Sequence, residues 1–62
     1  MTNLEFMKIL INLGFVTKSE YAIKNQLDYS NLIGTLSGRK HHPDTLRALS
    51  EIGVSESDLP LS

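Results

Sequence analysis

Residues 16–40, VTKSEYAIKNQLDYSNLIGTLSGRK, restrict the fold of this chain more than any other stretch. They read as two short capped helices, joined by a tight turn and closed by a glycine with two basic residues behind it. Thr17 and Glu20 have the Thr-x-x-Glu spacing of a capping box, in which each side chain satisfies a backbone N–H at a helix start. Asp28 is a good N-cap for the second helix, with Asn31 in its first turn. Gly38 stands where that helix should stop, because the residue after a helix often takes the left-handed conformation that glycine adopts without strain. The spacing predicts helices over about 18–26 and 29–37.

The flanking sequence is helical as well. Leu4, Met7, Leu10 and Ile11 fall at helical spacing in residues 3–13, predicting an amphipathic first helix that Thr2 or Asn3 caps and Gly14 ends. Phe6, Ile9 and Leu13 widen its apolar face, so either the helix is deeply buried or part of it pairs with a second copy. In the next helix Tyr21 and Ala22 face inward, Leu27 closes the turn, and Leu32 and Leu36 form the buried stripe of the third helix. A fourth helix begins near Pro43, a residue favoured at the first helical position because its missing N–H would be unpaired there. Leu46, Leu49 and Ile52 form its inner side and Gly53 stops it. Ser55 and Asp58 make another cap-like pair, with Val54, Leu59 and Leu61 packing down. Strand signals are nearly absent. The expectation is one all-α domain over residues 1–62, of four helices plus a C-terminal turn.

Length and charge narrow the function. A chain of 62 residues buries roughly 60% of its unfolded surface and has a stability of about 3–5 kcal/mol, so a homodimer would be a natural source of further burial. Without cysteine there is neither a disulfide nor a thiolate metal site, which fits a reducing, cytoplasmic setting. The apolar run over 9–16 is broken by Asn12 and Gly14 and is far short of a membrane span. The net charge of −1 argues against a nucleic-acid partner, but its distribution argues for one. Lys18, Lys24, Arg39, Lys40 and Arg47 outnumber Glu20, Asp28 and Asp44 in the middle of the chain, whereas from Ala48 onward only Glu51, Glu56 and Asp58 are charged. His41 and His42 are adjacent with no third ligand at useful spacing, so a phosphate or capping role suits them better than a metal. No arrangement of Ser, His and Asp suggests catalysis, and no metal, cofactor or small-molecule ligand is expected.

Helix, short turn, helix is the shape that places a second helix in a DNA major groove. Taken together, these residues resemble the lambda-repressor-like (Cro/repressor-type, XRE) helix-turn-helix family. The similarity runs without a gap over residues 17–40 and continues through Pro43, Leu46, Leu49, Ile52, Gly53, Val54, Ser55 and Leu59. The family's small residue in its second helix matches Ala22, its apolar turn residue Leu27, its recognition-helix core position Leu32, and its Gly-basic ending Gly38, Arg39 and Lys40. Three positions depart from the pattern. Asn25 stands for the usual apolar residue late in the second helix, Gln26 for the usual turn glycine, and Lys18 for the frequent glutamine at the helix start.

The resemblance implies a helix-turn-helix unit over about 17–37 whose recognition helix presents Tyr29, Ser30, Ile33 and Gly34 to the groove, with Asn31 and Thr35 on the flanks. Tyr29 is either a donor to phosphate or base edge, or an aromatic covering the edge of the core. Ile33 either presses on a thymine methyl or packs beside Leu32 and Leu36. Gly34 reads nothing, so its use is close approach to DNA or to another helix. No arginine or glutamine occupies a reading position, which shifts weight to DNA shape. Lys18, Ser37, Arg39, Lys40 and His41 are the expected phosphate contacts.

Two functions compete. The first is a sequence-specific DNA-binding transcriptional regulator of Cro or small-repressor type, which pairs through residues 54–61 or exposed positions such as Ile23 to read a palindromic operator in double-stranded DNA. The second is a protein-interaction module, an antirepressor or adaptor, that keeps the fold without binding DNA. Net acidity, the weak reading helix and the apolar Ile23 and Ile33 favour the second.

Overall fold

A computed structural model describes residues 1–62 as an all-helical structure without strands. The helices are α1 (Asn3–Asn12), α2 (Lys18–Lys24), α3 (Tyr29–Leu36) and α4 (Pro43–Glu51), followed by a 3-10 turn at Glu56–Asp58. Each start has its own side-chain cap. Thr2 Oγ1 accepts the Glu5 N–H at 3.1 Å while Glu5 Oε1 accepts the Thr2 N–H at 2.9 Å, a closed reciprocal box. Those bonds, the backbone one first, hold the Glu5 carboxyl below its ordinary value. At α2 only half of the expected box forms. Thr17 Oγ1 accepts the Glu20 N–H, but the Glu20 carboxylate reaches past Thr17 to the Val16 N–H at 3.1 Å. Asp28 caps α3 through the Ser30 N–H, and Pro43 opens α4 behind His42, whose Nδ1 accepts the Thr45 N–H at 3.3 Å.

All four helices end alike. A residue of positive φ follows each C-cap: Gly14, Gln26, Gly38 and Gly53. At α2, the Gln26 N–H donates to Ile23 O (3.1 Å) and the Leu27 N–H to Ala22 O (2.8 Å), the paired bonds of a Schellman motif. Equivalent pairs close α1, α3 and α4. This ending shortens the helices relative to the sequence expectation, α2 by two residues and α1 and α3 by one each, because the residues before the turn serve as caps.

The core gathers Phe6 and Leu10 from α1, Tyr21 and Ala22 from α2, Leu32 and Leu36 from α3, Leu49 from α4, and Val54. Tyr21 stands edge-on to both Phe6 and Phe15, at ring separations of 6.5 and 5.6 Å. α2 packs against α3 and α1, and α3 packs against α4. The α1 stripe requires correction. Phe6 and Leu10 carry its buried side, while Leu4 (64% exposed), Ile11 and Leu13 face away from the core. Apolar residues occur around most of this helix, and the core takes the side from which Phe6 meets Tyr21. The C-terminal segment lies across the start of the chain. The Leu61 N–H donates to Leu36 O (2.9 Å), the Ser62 N–H to Met1 O (3.2 Å) and the Asn3 N–H to Ser62 O (3.0 Å). Val54 is therefore buried and Leu59 and Leu61 pack on the core, so most of the apolar surface of residues 54–61 is turned inward. No helix is long and apolar enough to cross a membrane.

Candidate nucleic-acid interface

α3 is positioned by its apolar side. Leu32 and Leu36 are buried, and the spacing of a helix then sends Tyr29, Ser30 and part of Ile33 outward. Tyr29 is half exposed, Ser30 is exposed, and Asn31 and Ile33 are partly covered. Ile33 shares a shallow hollow with Lys18, Ser37, Leu36, Asn3 and Leu61, so the lysine that opens α2 lies beside the far end of α3. This arrangement brings together Lys18 and Ser37, two residues nineteen positions apart in the sequence.

One expected groove-facing residue, Gly34, and one expected flanking residue, Thr35, do not face outward. Thr35 is buried, and its hydroxyl donates to Asn31 O at 2.7 Å. Gly34 is buried too, because the side chain of Lys40 lies over it. A Cβ at Gly34 would stand 2.7 Å from Lys40 Cδ and 2.9 Å from Cγ, well inside van der Waals contact. The close approach made possible by this glycine is thus to a side chain of the same molecule. From there the Lys40 ammonium reaches Asn31 Oδ1 (3.2 Å) and Ser30 Oγ (3.4 Å).

The remaining basic groups take different positions. Arg39 is exposed, with its Nε donating to Ser37 Oγ at 3.0 Å, and Ser37 Oγ in turn donates to Gly34 O. His41 is exposed but lies 3.5 Å from the Glu56 carboxylate of the 3-10 turn, which competes with any phosphate for it. His42 turns inward as the α4 cap. Its Nδ1 lies 2.8 Å from Thr45 Oγ1 and its Nε2 3.5 Å from Asn31 Nδ2. Asn31 therefore stands between Lys40 and His42 and links the outer side of α3 to the start of α4. Sequence reasoning treated Lys40 as a loop cation and missed its place over α3. The only available signal was a mid-helix glycine six residues before a lysine.

A second surface lies on the far side of α2. Ile23 (75% exposed) shares a shallow hollow with Gly14, Phe15, Glu20 and Lys24, and the exposed Val16 donates its N–H to the Glu20 carboxylate. Among known proteins, no family model, no curated sequence and no solved structure matches the chain.

Proposed function

We propose that this chain is a sequence-specific DNA-binding transcriptional regulator of Cro or small-repressor type, a lambda-repressor-like domain in which α2, the turn and α3 form the helix-turn-helix unit. The observation that carries this reading is the composition of one surface. The outward side of α3 offers Tyr29, Ser30, Asn31 and Ile33, and cations border it from the start of α2 (Lys18) and from the loop behind α3 (Arg39, Lys40). Eight residues make α3 about 12 Å long, comparable with the width of the major groove. Lys18 and Arg39, both beside Ser37 at the end of α3, would set register on the phosphates, and the polar side chains along the helix would meet base edges. A single unit of this kind reads one half-site, so a palindromic operator and a dimer complete the proposal.

Affinity for mixed duplex DNA at increasing salt tests the reading. Log affinity falls linearly with log salt, and Arg39→Ala weakens binding to all duplexes while reducing the slope by about 1. Absence of any retarded complex at low salt defeats it. The exposed apolar side chains of Leu13, Val16 and Ile23 support the rival reading, an interaction module. A protein partner that is lost on Ile23→Ser, together with no affinity for DNA, would establish that alternative.

A further inference from the structure

We propose that Lys40, although it lies in the loop beyond α3, is a base-reading residue of the α3 surface and selects a guanine. This inference rests on the DNA-binding reading above. α3 itself, YSNLIGTL, contains neither lysine nor arginine, so it lacks the donors that most directly recognise a guanine edge. The structure supplies one from outside the helix. After Gly38 the chain doubles back, and the N–H groups of Arg39 and Lys40 both donate to Gly34 O, at 2.9 and 3.1 Å. These bonds fix the root of the Lys40 side chain beside Gly34. The missing Cβ leaves a notch that the lysine stem fills, since any Cβ there would meet Cδ at 2.7 Å.

The notch sets the direction of the stem, and two acceptors set its end. Ser30 Oγ and Asn31 Oδ1 hold the ammonium about one turn back along α3, over the polar half of its outer side. An ammonium has three donors, and these two acceptors leave at least one free. Guanine presents two adjacent acceptors, O6 and N7, in the major groove, whereas cytosine presents a donor and adenine a donor beside N7. A donor-only group held over the first turn of α3 discriminates among these edges. Its neighbour is placed for another task, because Arg39 is held by Ser37 at the C-terminal end of α3, suited to a phosphate.

Duplexes bound by the wild-type protein are first selected from a random pool. Wild type, Lys40→Met and Gly34→Ala are then titrated against the selected duplex and against each of its single base-pair substitutions, with circular dichroism checking that each variant is folded. Methionine keeps the stem and removes the charge, while alanine fills the notch and displaces the stem. Both variants are expected to lose about tenfold or more discrimination at the same G·C pair and to keep the other preferences. A Lys40→Met variant that binds every duplex more weakly by one common factor, with a salt slope lower by about 1, identifies a phosphate contact and overturns the inference while leaving DNA binding intact. Unchanged preferences in Lys40→Met, or in folded Gly34→Ala, also overturn it. A wild-type protein that selects no duplex defeats the DNA-binding reading itself.

Discussion

Tyr21 buries its ring against Phe6 and Phe15 and leaves its hydroxyl without a hydrogen-bond partner. Burial, and after it the negative charge of Glu51, raises its pKa from 10.0 to about 12. The unfolded chain therefore ionises this phenol first. Its contribution to stability is intact below pH 10.0 and is lost as the pH rises toward about 12. Tyr21→Phe removes the unpaired hydroxyl at nearly constant shape and is expected to raise stability at neutral pH by about 1 kcal/mol. It should also flatten the alkaline limb between those pH values, and denaturant unfolding of both proteins across pH 7–12 measures both effects. The inward position of Tyr21 was legible from helical spacing. Its stranded hydroxyl was not, because the absence of an acceptor depends on every element packed around the ring.

Helix ends show how element-level rules succeed and where they stop. Thr17, Asp28, Pro43 and Gly38 occupy the cap positions that their chemistry favours, since these are local effects of one or two bonds. Gln26 is the exception. It takes φ 56° in the turn between α2 and α3, where the other three helices have glycine. Side-chain crowding in that conformation costs about 1–2 kcal/mol, offset in part by the greater freedom of glycine in the unfolded chain. Gln26→Gly is expected to stabilise the protein by about 0.5–1 kcal/mol, read as a higher midpoint in urea with an unchanged slope. A loss of stability would mean that the Gln26 side chain makes a compensating contact. The turn closes without glycine, because the Ala22 and Ile23 carbonyls receive their bonds from Leu27 and Gln26.

At the scale of the whole molecule, the C-terminal segment ties the start of the chain to the underside of α3. Leu61 packs on the core and its N–H takes the last carbonyl of α3, Leu36 O. Leu61→Ala removes half-buried apolar surface there and is expected to cost about 1 kcal/mol, measured by urea denaturation, with helical content unchanged. A neutral result would show that the segment adds no stability to the surface carrying Ile33 and Lys18. Global placement also sorts the basic residues, which looked equivalent in the sequence. Arg39 stays at the margin beside Ser37, Lys40 crosses Gly34, His41 meets Glu56 and His42 caps α4.

The sequence by itself determined that this chain is helical, where each helix starts and stops to within two residues, and that Tyr21, Ala22, Leu32, Leu36 and Leu49 lie inside. Caps, positive-φ turns and helical periodicity act over a few residues, so neighbours in sequence are enough to specify them. Only the tertiary structure decided which side of α1 is buried, that Thr35 and Gly34 are covered, and that Lys40 stands over Ser30 and Asn31. Apolar residues around most of α1 leave more than one side able to pack. The course of a lysine stem depends on which backbone happens to lack a Cβ beneath it.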